Sequence, residues 1–404
     1  MEITALHRCT IGLDIHHQQI TVCVLKADAA GKVDSEFQTF GSFKRDLRAL
    51  AQWVVSHQPD DVVMESTGIY WKSPYAALEK AGIFARVVNA RHVKNVPGRK
   101  TDIQDAQWLA MLARSGLLNG SFIPPEPIRQ ARLIGRQRQK LVDQRSAEKN
   151  RLHKLLSDAG IRLSVVISDL SGQSGRKMIR GLTKGEPIEQ LLSYADKRLK
   201  ATDEELRDAL EGDLSPCHRF TLERLLAHID FLDDQVAAFD RQLLTQLADY
   251  RPALELLMTM PGIDEVSAAL LLAETGDNMD VFGCADKIAS WSGICPGNNE
   301  SAGKRKSGKT RKGNYWLRRI LCECAHAARR TRCQFKAKYE AIAARRGSKK
   351  AIVAIAHKLL RTVFAMLQTG ECYRDNSVDY EQLMVQKNAP RWLRMLEKYG
   401  HLPA

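Results

Sequence analysis

Hydrophobic positions in the first third of the chain change period several times, and each change marks an element. TIGLDIHH at residues 10–17, QITVCVLKA at 19–27 and VDSEFQTF at 33–40 are short β-branched runs that predict three strands, with Gly31 and Lys32 turning the chain between the second and third. In SFKRDLRALAQWVVSHQ, Phe43, Leu47, Leu50, Ala51 and Val54 fall at helical spacing instead. DDVVMEST predicts a fourth strand, SPYAALEKAG a helix closed by Gly82, IFARVVNA a fifth strand, and TDIQDAQWLAMLARSG a helix closed by Gly116. The sum, β-β-β-α-β-α-β-α, predicts a mixed sheet with helices on its faces.

That element order is the one found in the ribonuclease H fold. Pro124, Pro125 and Pro127 end it with a stiff break. From Ile128 to Leu156 the pattern is helical and basic, with Arg136, Arg138, Lys140 and Arg145 placed to lie along a phosphate backbone, while Leu141, Val142, Leu152 and Leu155 give an apolar side. Residues 157–216 predict an exposed loop and short helices. Leu225, Ile229, Leu232, Val236, Phe239, Leu243 and Leu247 then form a seam suited to the basic helix or to a second subunit. LELLMTMPGIDEVSAALLLAETG predicts a helix, a tight turn and a helix. Asp264 stands where a phosphate-binding hairpin would carry glycine, which weakens that use and leaves a purely structural hairpin open. Helices follow at residues 315–330 and around 349–368, and the tail from Tyr373 is polar and peripheral. The predicted domains are 1–127, an α/β metal-binding domain; 128–250, a basic helical and coiled-coil segment; 251–372, a mostly helical domain; and 373–404, the tail.

Composition narrows the function classes. With 404 residues, 44% of them hydrophobic and 27% charged, the chain is globular, and its net charge of +14 calls for a polyanionic partner, nucleic acid first. MEITALHRCT does not read as a secretory leader, and no stretch reads as a membrane span. Nine cysteines without a C-x-x-C pair predict reduced thiols, and the Cys322, Cys324, His326 and Cys333 group reads as core packing in preference to a zinc site.

The acids of the first domain carry the chemistry. Asp14 lies inside the first strand, Glu65 ends the fourth, and Asp102 and Asp105 open the last helix three residues apart. If the first and fourth strands are neighbours, Asp14 and Glu65 stand side by side. Such hard-oxygen donors suit Mg²⁺, with Mn²⁺ possible, and a metal so held would bind phosphodiester oxygens and activate an attacking hydroxyl. Glu79, Asp60 and Asp61 read as solvent-facing.

Residues 293–314, GICPGNNESAGKRKSGKTRKGN, read as a basic loop with no helix before Tyr315; Lys304, Arg305, Lys306, Lys309, Arg311 and Lys312 supply its charge. Ser307 and Thr310 read as loop residues or phosphate ligands, and no partner that would activate a serine lies nearby in sequence. GLD at 12–14, MESTG at 64–68 and KTDIQDA at 100–106, followed by MPGIDEVSAALLLAETG at 260–276 and the run from Phe282 through NNESAGKRKSGKTRKGN, together resemble insertion-sequence transposases that join a RuvC-like DEDD domain to a serine-bearing domain, a group that includes Piv-type invertases. The resemblance implies a RuvC-like first domain, places the family's four acids on Asp14, Glu65, Asp102 and Asp105, and places its catalytic serine on Ser301. It implies Mg²⁺-assisted attack by Ser301 on DNA with a covalent serine–DNA intermediate, donor and target DNA as partners, a structured noncoding guide RNA, and a homodimer or homotetramer without membrane association. It also implies a cytoplasmic location in a bacterium or archaeon, at the nucleoid when active.

Two other readings keep their own signatures. A RuvC-like metal-dependent nuclease that recognises DNA structure would use the acids alone, leaving Ser301 a bystander and both cut ends free of protein. A binding scaffold would hold nucleic acid without metal and cut nothing.

Overall fold

In a computed structural model of the chain, the described residues are 5–65, 68–89, 102–296, 299–301, 304–307, 309–375 and 380–401. They fall into two compact units, Met1–Ile123 and Pro124–Ala404. In the first unit β1 (Cys9–Ile15), β2 (Gln19–Ala27) and β3 (Val33–Gly41) form an antiparallel meander. Next come α1 (Lys44–Ser56), β4 (Asp61–Glu65), α2 (Lys72–Lys80), β5 (Arg86–Val88) and α3 (Asp102–Arg114). The sheet order is β3-β2-β1-β4-β5, with β4 parallel to both β1 and β5. The first and fourth strands are therefore neighbours, as the element order requires.

The sheet is covered on both faces, which is why β1 is buried along its whole length. Ile11, Leu13 and Ile15 pack with Leu50 and Val54 of α1 and Leu78 of α2. On the opposite face Cys23 and Leu25 of β2 meet Ala106 and Ala110, and Val63 of β4 meets Leu109, Leu112 and Ala113, all from α3. Gly12 permits this contact, because a Cβ there would lie 2.2 Å from the Ala106 carbonyl oxygen and 2.6 Å from the Ala110 nitrogen.

The second unit is mostly helical. Its frame is α4 (Glu126–Asp158), followed by the short helices α5 (Leu163–Val166), α6 (Gln173–Lys184), α7 (Ile188–Leu192) and α8 (Asp203–Leu210), and then α9 (Pro216–Gln246). Helices α4 and α9 pack antiparallel along their length, Arg138 meeting Asp240 and Arg145 meeting Asp233. The seam residues Ile229, Leu232, Val236, Leu243 and Leu247 are buried within the chain, which decides between the two partners that the heptad pattern allows. The region 157–216, which shows little pattern in sequence, buries Ile161, Leu163, Ile179, Leu182, Leu191 and Leu206 against one end of this pair.

A 3₁₀ turn (Ala248–Tyr250) leads into α10 (Arg251–Met258), α11 (Glu265–Thr275), α12 (Ala285–Trp291), the two-stranded ribbon β6 (Asn299–Ser301) and β7 (Lys304–Ser307), α13 (Tyr315–Ala328), α14 (Gln334–Arg346), α15 (Ser348–Thr369) and α16 (Tyr380–Lys398). Four features depart from the sequence reading. The basic loop contains a β-ribbon, α12 and α14 each lack a counterpart in the predicted elements, and the tail carries a helix whose Trp392, Leu393 and Met395 are exposed. Helix α15 is also long and apolar enough by composition to cross a membrane, with a mean hydropathy of 1.4 over its best window. Here Ile355, Ala356, Leu359, Leu360 and Val363 are fully covered and the helix packs against α10, α12, α13 and α14, so it is the core helix of this cluster.

Candidate active site and nucleic-acid interface

Backbone register sets Asp14 and Glu65 on one face of the first unit's sheet. Leu13 pairs with Met64, and both face the α1–α2 core. Side chains alternate along a strand, so the next residues, Asp14 and Glu65, turn to the α3 face at the same end of the sheet. Helix α3 points its N-terminal end toward them. Thr10 Oγ1 donates to the Ala110 carbonyl at 3.0 Å, and Gly12 lies under Ala106. Two strand residues, about 6.6 Å, thus match four helix residues, about 6 Å. The same step carried once more sets Asp14 beside the first turn of α3, where Asp102 and Asp105 stand.

Asp14 is a buried carboxylate, 7% exposed, with His16 Nε2 3.0 Å from its Oδ2. Sequence reasoning overlooked His16, although a spacing of two at the end of a strand was the available signal. Glu65 and Asp105 are half-buried, and the side chain of Asp102 lies outside the described residues. Among the described residues no group of three or more His, Cys, Asp or Glu side chains could hold a metal ion. The neighbouring acids read as solvent-facing are engaged instead. Asp61 is ion-paired with Arg86, and Asp60 accepts from the Arg8 and Cys9 amides at 2.8 Å each; those bonds, the Cys9 one foremost, hold its carboxyl below the usual range.

Ser301 is presented by the ribbon of the second unit. It ends β6 and pairs with Lys304 at the start of β7, while Glu300 pairs with Arg305. The side chains of Ser301, Lys304, Arg305, Lys306 and Ser307 lie outside the described residues. The arm closes at its base through a bridge between Pro296 and Thr310, and through Gly293 and Gly313, where a Cβ on Gly313 would lie 2.4 Å from the Gly293 nitrogen. Lys309, Arg311 and Lys312 stand exposed after β7.

Immediately after the arm, Asn314 caps α13, its Oδ1 accepting from the Trp316 and Leu317 amides at 3.1 and 3.2 Å. Its Nδ2 donates at 2.7 Å to Glu274 Oε2. Glu274 is only 3% exposed and also receives a two-pronged contact from Arg136 at 2.7 and 2.8 Å, with Arg132 beside it. Burial pulls the Arg132 guanidinium down to about 10. This network ties α4 and α11 to the foot of the serine arm, and neither Glu274 nor Asn314 stands out in sequence.

The same geometry gives three of the candidate phosphate ligands of α4 another role. Arg136 binds Glu274, Arg138 binds Asp240 at 2.5 Å and Arg145 binds Asp233 at 2.7 Å, whereas Lys140 is exposed. The PGI turn is used structurally as well. Asp264 Oδ1 accepts from the Ser267 amide at 2.8 Å as the cap of α11, and Gly262, at φ +88°, lies so close to α13 that a Cβ would be 2.6 Å from the Cys324 carbonyl oxygen. Cys324 is itself buried there, and burial pushes its thiol up to about 12.

Comparison with known proteins places both units. A family model described as "Transposase" matches residues 11–161, and one described as "Transposase IS116/IS110/IS902 family" matches residues 254–340. The transposase for insertion sequence element IS1328 of Yersinia enterocolitica is 27% identical over 281 residues, covering 68% of this chain and 73% of that protein. A probable family 20 transposase of Pseudomonas aeruginosa is 26% identical, covering 78% and 85%. The transposase for IS1111A of Coxiella burnetii is 24% identical, covering 78% and 79%. Among solved structures, RuvC of Thermus thermophilus is 13% identical, covering 28% of this chain and 99% of that one at a TM-score of 0.23.

Proposed function

We infer, on the premise that the chain belongs to the IS116/IS110/IS902 family of transposases, that it cuts DNA phosphodiesters at the acidic end of the first unit's sheet. The observation that carries this is the register of β1 on β4 beneath α3, which supports a ribonuclease H-like, RuvC-type arrangement with Asp14 and Glu65 on one face toward the start of α3. The donors are all carboxylate oxygens, which suits Mg²⁺ or Mn²⁺ held by Asp14, Glu65, Asp102 and Asp105. Such an ion would polarise the phosphate and stabilise the leaving oxygen. The chain's own part is to hold these carboxylates in place: Gly12 admits α3, and His16 steadies the Asp14 carboxylate.

A second reading adds Ser301. It is favoured by the position of that residue at the turn end of a β-ribbon, paired with Lys304 and followed by a run of cations. In this reading the Oγ–P bond forms as a bridging P–O bond breaks, the departing oxygen takes up a proton, and the serine–DNA ester retains the energy needed for religation by a terminal hydroxyl. The basic residues of the arm, Lys304, Arg305, Lys306, Lys309, Arg311 and Lys312, hold backbone phosphates. A guide RNA and assembly into a dimer or tetramer rest on the family resemblance alone; the α9 seam is already filled by α4.

One assay separates the readings. With Mg²⁺ and DNA carrying the element ends, supplemented with the adjacent noncoding RNA, Asp14→Ala is expected to fold normally and to lose cleavage. Wild type is expected to leave a denaturation-resistant adduct on the Ser301 peptide, and Ser301→Ala to form none. Wild-type cleavage by Ser301→Ala with protein-free ends leaves the nuclease standing and removes the serine. Full cleavage by Asp14→Ala removes the acidic site.

A further inference from the structure

A groove of about 1100 Å³ opens in the second unit beside the foot of the serine arm, between α14 and α15. Ile294 and Pro296 from the arm's base, Ile342 of α14 and Val353 of α15 make an apolar floor. Around it stand Lys309, Lys338, Arg346, Lys349 and Lys350, and no acidic residue is among the described residues that line it. Asp286 lies nearby and is bound to Arg361. The positive field acts on the groove's own residues. Burial lowers the proton affinity of both His357 and Lys358; Arg361 and then Lys338 lower that of His357 further, against Asp286, and Lys338 lowers that of Lys358, against Asp375. Lys349 and Lys350 also sit in the first turn of α15, which holds no acid and has only Gly347 as its cap. Cations at a helix N-terminus oppose the macrodipole, so folding alone gives no reason for them there.

We propose that this groove is a track for an unpaired DNA strand leading to the serine arm, with phosphates against the basic rim and bases and sugars on the aliphatic floor. An unpaired strand offers both surfaces to one groove, whereas a duplex encloses its base faces. The inference rests on the DNA-transposase reading of the chain, and it assigns an entry path that the acids and Ser301 do not define.

The test uses the full chain and labelled oligothymidine, followed by fluorescence anisotropy across a potassium chloride series. Arg346→Ala, Lys349→Ala and Lys350→Ala combined remove three exposed cations; the two lysines oppose the α15 macrodipole whereas Arg346, in the last turn of α14, complements its own, so local stability read by amide exchange in α14 and α15 should change little. Affinity at low salt should fall at least tenfold, and the slope of log affinity against log salt should shrink by about 2, at ~0.7 per phosphate contact on a single strand. Unchanged affinity and slope would overturn the track. An equal loss on duplex DNA would overturn its preference for an unpaired strand, and a loss confined to oligouridine would make the surface an RNA site. None of these outcomes resembles failure of the function reading, which appears as full cleavage by Asp14→Ala.

Discussion

Helix α4 and the arm-and-groove region are both dense in positive charge, yet the structure uses that charge in opposite ways. Along α4 the arginines meet carboxylates: Arg132 and Arg136 meet Glu274, Arg138 meets Asp240, Arg145 meets Asp233 and Arg151 meets Glu148. Of the lysines of the same helix, Lys140 and Lys154 are exposed and Lys149 is half-buried. Around the groove, Lys349, Lys350 and Arg346 are exposed and no acid lines the wall among the described residues. The contrast follows from chemistry, since a guanidinium can hold a carboxylate with two parallel bonds while an ammonium is better left hydrated. A run of positive charge is therefore open to a polyanion only where the fold withholds acids from it.

The largest effect that could break this comparison lies at Glu274. It is buried, and Glu274→Gln would leave Arg132 and Arg136 without their counter-charge in a covered site. Removing one member of a buried pair costs about 3–5 kcal/mol. Because the chain has two units, global melting would mix two transitions; amide exchange in α11 and α13, read by mass spectrometry, isolates the local loss. A change below about 1 kcal/mol would mean that packing, and not charge, holds the foot of the serine arm.

The difference between these regions also marks what a sequence can disclose. Strand and helix periods expose the first unit because its contacts repeat locally, and the neighbouring of β1 and β4 follows from element order. The shared face of Asp14 and Glu65 was legible for the same reason, since it follows from strand alternation once β1 and β4 are neighbours. Partners such as Asp240 for Arg138 or Glu274 for Arg136 lie a hundred or more residues away, and no local pattern connects them. Glu274 sits in an apolar run, LLLAETG, but nothing in that run points to its partners. The β-ribbon went unread because its strands are three and four residues long and polar, which leaves no alternation to detect.

A middle-sized effect sharpens the comparison at Arg138. Its contact with Asp240 is partly buried, so Arg138→Ala should cost about 2 kcal/mol, the worth of a hydrogen bond to a charged group with its partner left behind. The same variant should leave the salt dependence of DNA binding unaltered, because the side chain is engaged within the fold. A salt slope reduced by about 0.7 would show that Arg138 reaches a phosphate, and the division between structural arginines and binding lysines would fail at that residue.

The smallest effect is a pH dependence that only the paired region should show. Burial pushes the Asp233 carboxyl up, but hydrogen bonds from Arg176 and Arg145 outweigh it and hold the group below the ordinary carboxylate value. A carboxylate depressed in the folded state binds fewer protons there than in the unfolded chain. Its contribution is thus fully present above the usual carboxylate range and is lost as pH falls through the folded value. Asp233→Asn keeps an acceptor oxygen and removes the titration. The difference in local stability between wild type and Asp233→Asn, read by exchange in α9, should therefore be constant near neutrality and shrink below about pH 4. Lysines and arginines do not titrate in that window, so the groove variant should track wild type across it. A wild-type advantage over Asp233→Asn that stays constant down to acid pH would mean that Arg145 and Arg176 bind the amide as well as the carboxylate, and that charge matching along α4 contributes geometry alone.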